Sequence, residues 1–210
     1  MSRMVLYIFF LGVLIFWACS IKTPPVPLLP PTVSPEVKKW VQRQYQAGIK
    51  AYDHGKLEVA LTFFDQGIAK EDSFALPYFG RGMVFLKKQQ FEEAKEAFTL
   101  AISKGGHFHK AYHGLGIIQR RMGQFHEAEK SYLAALKHNK NNDVDRALVY
   151  YNLGILSEVY LNDKPSALKF YQEYIKIAPE GISEDIQRVK SWIEMLEKSL
   201  TESSLSASEP

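Results

Sequence analysis

Gly48, Gly82 and Gly116 stand 34 residues apart, and Ala60, Ala94 and Ala128 keep the same step. The aromatic series Phe64, Phe98 and Tyr132 repeats it again. A fourth copy follows with Gly154, Ala167 and Tyr171, displaced by an insertion around Asp143 to Arg146 and by one extra residue before Ala167. A fixed period of this length marks a stack of identical supersecondary units, because one unit cannot bury its apolar face alone. Each copy reads as two helical segments of about a dozen residues joined by a polar turn, such as Asp53-His54-Gly55 or Arg121-Met122-Gly123. The Gly of the first helix and the Ala of the second belong where the two axes cross, since a larger side chain would force them apart. The aromatic four residues after each Ala shares its helical face and is expected to fill the hole between neighbouring hairpins.

The strings AGIKAYDHGKLEVALTFFDQGIAK, RGMVFLKKQQFEEAKEAFTLAISK, LGIIQRRMGQFHEAEKSYLAALKH and LGILSEVYLNDKPSALKFYQEYIK align on these positions. In period and in its Gly, Ala and aromatic spacing the chain resembles the tetratricopeptide repeat (TPR) family. The resemblance implies an all-α fold, a right-handed superhelical solenoid of about four helical hairpins with a C-terminal capping helix. The repeats are expected at 41–74, 75–108, 109–142 and 147–181, within a folded body over 35–180. Pro179 closes the last copy, and Gly105-Gly106 ends the second. Ser183-Glu184-Asp185 then suits the start of a capping helix over 182–199, with Ile186, Val189, Ile193 and Leu196 as its apolar stripe. Residues 200–210, rich in Ser and Glu, are expected to form a disordered tail.

The start of the chain has a different composition. Arg3 precedes an uncharged apolar run from Val5 to Ala18, about 21 Å long as a helix and short of a ~30 Å hydrocarbon core. That length suits a secretory signal over 1–18. Phe16-Trp17-Ala18-Cys19 resembles the lipobox of bacterial lipoproteins, matching it at Ala18 and Cys19 and departing from it at Phe16 and Trp17. The resemblance implies that Cys19 carries lipid and becomes the mature N-terminus; an uncleaved signal anchor running on through Ile21 is the alternative. With Ser20 next, the family's sorting rule implies the outer membrane, facing the periplasm. Pro24, Pro25, Pro27, Pro30, Pro31 and Pro35 make 19–34 an extended tether, at most ~50 Å long. Ser34-Pro35 reads as an N-cap followed by the first helical residue.

Little in the sequence points to chemistry. One cysteine excludes an internal disulfide, a four-cysteine zinc site and a two-cysteine redox motif. A net charge of +3 demands no nucleic acid. No phosphate loop, nucleophile elbow or zinc-protease motif occurs, so neither an enzyme nor a cofactor is expected. The best candidate for a metal site is His107, His109 and His113, of which the last two are one helical turn apart. No carboxylate or cysteine falls in register with them, and solvated surface histidines are the plainer reading. A metal- or ligand-binding protein remains the alternative.

Function is therefore expected in the groove. In the TPR family the first helices line the concave face, which implies Gln42, Tyr45, Ile49, Tyr52 and Asp53 in the first copy and Leu76, Phe79, Met83, Leu86 and Lys87 in the second. The third copy contributes Lys110, His113, Ile117, Arg120 and Arg121, and the fourth Leu148, Tyr151, Ile155, Glu158 and Val159. Only Lys110 matches the Lys and Asn positions with which some members clamp a C-terminal carboxylate; Tyr45, Ile49, Gly80 and Gly114 occupy others. A largely apolar floor with positive charge in the third copy implies a protein partner, a peptide or helix, unless the tether or the C-terminal helix covers it. The plan resembles TPR lipoproteins that assist secretins and type IV pili, and those that recruit peptidoglycan enzymes. The sequence leaves the oligomeric state open.

Overall fold

The computed structural model describes residues 33–105, 108–139, 142–179 and 183–206. The chain divides into two units, 1–34 and 35–210. The expected signal segment, Cys19, residues 20–32 of the expected tether and His107 lie outside the described residues. Those described are helical throughout, with no strand. The helices are α1 (Pro35–Asp53), α2 (Leu57–Lys70), α3 (Ala75–Lys87), α4 (Phe91–Gly105), α5 (His109–Arg121), α6 (Phe125–His138), α7 (Asp143–Ile155), α8 (Lys164–Ile177) and α9 (Ser183–Ser206). None of them is long and apolar enough to cross a membrane.

The four hairpins close through one recurring device. Gly55, Gln89, Gly123 and Asn162 occupy the left-handed region, at φ of 73°, 60°, 76° and 53°. In the first three turns the next amide reaches back five residues: Lys56 N to Ala51 O at 2.9 Å, Gln90 N to Phe85 O at 2.9 Å, and Gln124 N to Gln119 O at 2.8 Å. This satisfies carbonyls that the helix end would otherwise leave bare. Consecutive helices pack together, and α1–α3, α3–α5 and α5–α7 also touch. The first helix of each hairpin thus adjoins that of the next, and the stack is a helical-repeat solenoid with these helices along one face.

The repeat residues meet as their spacing predicts, with one refinement. Ala60, Ala94, Ala128 and Ala167 are completely buried. The space left by each glycine, however, is taken by an aromatic ring. Phe64 fills it at both Gly48 and Gly80, and Phe98 at both Gly82 and Gly114, where added Cβ atoms would stand 2.7 and 2.6 Å from the ring. Tyr132 sits against Gly116 and Tyr171 against Gly154. Each ring is a plug; the first two span the joint from one hairpin to the next.

The fourth hairpin departs from expectation at its start. Residues 143–146 form no looped insertion ahead of a repeat beginning at 147. They are the first turn of α7, capped by Asn142, whose Oδ1 accepts from Asp145 N at 3.1 Å. Because α5 starts at His109, Asp143 keeps the 34-residue step, and the surplus lengthens the helix. The further residue before Ala167 is absorbed by a π-turn at Leu156–Tyr160, where Leu161 N reaches back five residues to Leu156 O at 3.0 Å. One residue inserted into an α-helix produces such a bulge.

The C-terminal helix also corrects the boundary expected at 199. α9 continues to Ser206, so residues 200–206 are helical, not tail. It buries Val189 and Leu196 with the half-buried Trp192 and Ile193 against α8 and the end of the stack.

Candidate functional site

A cavity of about 190 Å³ opens where α3, α5 and α7 adjoin. Its apolar floor comes from Phe79, Met83 and Leu86 on α3, Ile117 on α5 and Val149 on α7, with Phe98 and Ala135 closing it from the second helices. Phe79, Met83 and Leu86 follow an i, i+4, i+7 pattern, so one face of α3 presents all three. Gly114 contributes no side chain, which lets α5 lie close over Phe98. Six expected groove residues therefore converge on one cavity: Phe79, Met83, Leu86, Lys110, His113 and Ile117.

Phe79 does not have the exposed position expected of it. Only 9% of it is accessible, because Phe108 and Phe98 pack on its ring at centroid distances of 4.8 and 5.7 Å. It is floor, while Met83, Leu86 and Ile117 are the half-buried side chains at the surface of the cavity.

The opposite wall is polar and organised by Asp145. Its Oδ2 accepts from His109 Nε2 at 3.1 Å and from Asn142 Nδ2 at 3.0 Å, and lies 3.6 Å from Lys110 Nζ. His113 takes a different partner. Asn152 Nδ2 donates to its Nε2 at 3.1 Å, and its ring lies 5.8 Å from that of Tyr132. Burial pushes the His113 imidazole down to about 4, against an opposing pull from the Asp145 carboxylate, so it is neutral near pH 7. His109 and His113 thus engage separate groups, and the described residues hold no cluster of three metal-ligating side chains. Asp145 and Asn152 were not legible as site residues, because they lie in or beyond the stretch read as an insertion. The Asn-x-x-Asp pattern at 142–145, a helix start with an acid in its first turn, was the available signal.

The other expected groove residues lie elsewhere. Tyr45 packs on Phe64 at 5.9 Å, Ile49 joins the same core, and Tyr52 lies under Lys87 Nζ at 4.6 Å. Tyr151 and Ile155 are covered: Trp192 of α9 stacks on Tyr151 at 6.2 Å, and both belong to the cluster that seats α9. The C-terminal helix therefore covers Tyr151 within the fourth hairpin's share of the groove, while Leu148 and Val159 stay exposed. Arg120 lies half-buried with its Cζ 5.8 Å from the Tyr160 ring, and Arg121 is exposed.

Comparison with known proteins concerns the same helices. A tetratricopeptide-repeat family model matches residues 108–180, and a second matches residues 76–103. The structure described as the functional characterization of Pseudomonas aeruginosa pilF has a TM-score of 0.69 at 16% identity, covering 80% of this chain and 72% of that one. The crystal structure of MamA gives 0.57 at 18% identity, over 65% and 77% of the two chains. The first TPR of Spaghetti (RPAP3), bound to the HSP90 peptide SRMEEVD, gives 0.52 at 20% identity, over 57% and 92%. At such identities the likeness is one of fold. No curated protein matches the sequence. The recurring glycines, the plugs between hairpins and these matches lead to one conclusion: the described chain is a helical-repeat solenoid whose residues 76–103 and 108–180 match tetratricopeptide-repeat models.

Proposed function

We propose that this protein is a non-catalytic scaffold, lipid-anchored through Cys19 in a bacterial envelope, that binds a helix or peptide of a protein partner in its concave groove. The observation that carries the reading is the open cavity between α3, α5 and α7, with half-buried Met83, Leu86 and Ile117 at its surface. Apolar surface held open by rigid helices is what an interface anchor needs. The peptide-bound Spaghetti repeat supports a protein-interaction role. The N-terminal apolar run ending in Ala18-Cys19 supports the anchor, and Ser20 the outer membrane. Assembly or localisation of an envelope complex of the secretin or type IV pilus kind fits this plan, with recruitment of peptidoglycan enzymes as the second role of the same type.

Two measurements test the reading. Mass spectrometry of the protein from its own cells should show an acylated chain beginning at Cys19; an intact, unacylated Met1 form refutes the anchor. Pull-down from envelope extract should capture a defined partner with the wild-type protein and lose it with Met83→Glu/Ile117→Glu, which puts charge where the cavity is apolar. Full capture by the folded double variant moves the site away from the groove.

A further inference from the structure

Several cations on this surface are paired with carboxylates. Arg81 pairs with Asp65 at 3.2 Å, Lys88 with Glu58 at 2.7 Å, Lys104 with Asp72 at 3.0 Å, and Lys110 with Asp145 at 3.6 Å. Arg120 and Arg121 differ. No ion pair joins either to a carboxylate among the described residues. Arg120 is also held in place: its guanidinium lies 5.8 Å from the centre of the Tyr160 ring and beside the Tyr132 hydroxyl, and its Nε is buried with no hydrogen-bond partner. Glu158, the carboxylate two residues before Tyr160, is engaged by the Tyr171 hydroxyl at 2.9 Å. A fixed, partly desolvated guanidinium without an anion is a poor arrangement for the isolated chain and a prepared one for a carboxylate from outside.

Position supplies the rest. Ile117 lines the cavity, and Arg120 and Arg121 follow it three and four residues later on α5, one turn or about 5–6 Å along the helix. We infer that the groove recognises an amphipathic helical segment with an apolar anchor and, one turn away, an aspartate or glutamate received by Arg120 and Arg121. The inference rests on the groove reading above and adds the chemistry of the partner. The anchor enters the cavity, and the carboxylate supplies the anion that the two arginines lack. Tyr132 and Tyr160 act as positioning residues for Arg120.

The test uses the full-length protein in detergent micelles and a phage-displayed library of helical peptides. Selected sequences should share a Leu, Phe or Met with Asp or Glu three or four residues away. The synthesised consensus peptide and its Gln-for-acid version are then titrated against wild type and Arg120→Gln/Arg121→Gln. The acidic peptide should bind the double variant about ten- to a hundredfold more weakly, the loss expected of a charge-assisted hydrogen bond, while the Gln peptide is unaffected by the change. If the double variant loses its helical circular dichroism, Arg121→Gln alone, at an exposed site, carries the same comparison. An apolar consensus without an acid, or equal losses for both peptides, overturns this inference and leaves the groove reading intact. Absence of any apolar consensus, or binding indifferent to Met83→Glu, overturns both. Binding of phosphatidylglycerol vesicles that depends on the two arginines, with no peptide selected, assigns them to lipid phosphate and refutes the peptide carboxylate.

Discussion

Phe64 and Phe98 in the first two hairpins differ from Tyr132 and Tyr171 in the last two, although all four fill the same repeat position. Each phenylalanine lies between two glycines, one from its own hairpin and one from the next. The tyrosines have one such glycine each. Tyr132 adjoins His113, hydrogen-bonded to Asn152, and Tyr171 meets Trp192 of the capping helix at 5.5 Å. Where repeat follows repeat without interruption, the plug is an apolar ring that fills the space left by a glycine on either side. Where the repeat is disturbed or ends, polar groups enter it, and the hydroxyl meets a charged side chain: Tyr171 donates to Glu158, and Tyr132 lies beside the Arg120 guanidinium. A plug's chemistry thus reports what stands on its far side.

The largest test of this comparison is Phe98→Ala. It empties a joint bounded by two glycines that no side chain can refill, so urea denaturation should show a loss of about 3–5 kcal/mol. A loss below about 1 kcal/mol would mean that the ring is no plug. The polar joint should instead respond to acid. His113 is neutral when folded and protonates at about 4, against about 6.5 for an ordinary imidazole, so the unfolded chain takes up the proton first. Its contribution is complete above about pH 6.5 and is lost as pH falls toward 4, amounting to roughly 3 kcal/mol. Urea midpoints of wild type and His113→Gln should therefore converge across that window; parallel profiles would place the imidazole in water.

Smaller effects separate the two tyrosines. Tyr171→Phe removes a hydrogen bond to a carboxylate and should cost about 1.5–3 kcal/mol, whereas Tyr132→Phe removes only a hydroxyl that lies beside the Arg120 guanidinium and should lower the melting temperature less. Equal losses would show that the two hydroxyls do the same work. The smallest change lies in the turns. Gln89 holds the left-handed conformation that glycine holds at Gly55 and Gly123, so Gln89→Gly should stabilise by about 1 kcal/mol or less. Destabilisation by that substitution would show that the Gln89 side chain contributes something the turn geometry does not reveal.

Much of this architecture was legible because it is local or periodic. The 34-residue step located the hairpins, the buried alanines and the plugs, since a residue's face on a helix follows from its number along it. The helix start at Pro35 could be read for the same reason, from the Ser34-Pro35 pair. The fourth hairpin was less legible. Four surplus residues look like a loop in an alignment, yet a capped helix lengthens at little cost, and one more residue fits inside it as a π-turn. Asp145 and Asn152 became site residues by that route, with no motif to announce them beyond the cap.

What the sequence determined by itself was the unit and its repetition: helical hairpins, small residues at their crossings, and an apolar face on each first helix. Only the tertiary structure decided which parts of that face stay open. Phe79, Met83, Tyr151 and Ile155 all occupy concave positions by number, yet Phe108 packs on Phe79 and Trp192 stacks on Tyr151, while Met83 borders an open cavity. Periodicity specifies where a side chain points along its own helix. Whether another element comes to lie over it depends on contacts between residues far apart in the chain, and those follow from how neighbouring hairpins and the final helix pack, not from any local pattern.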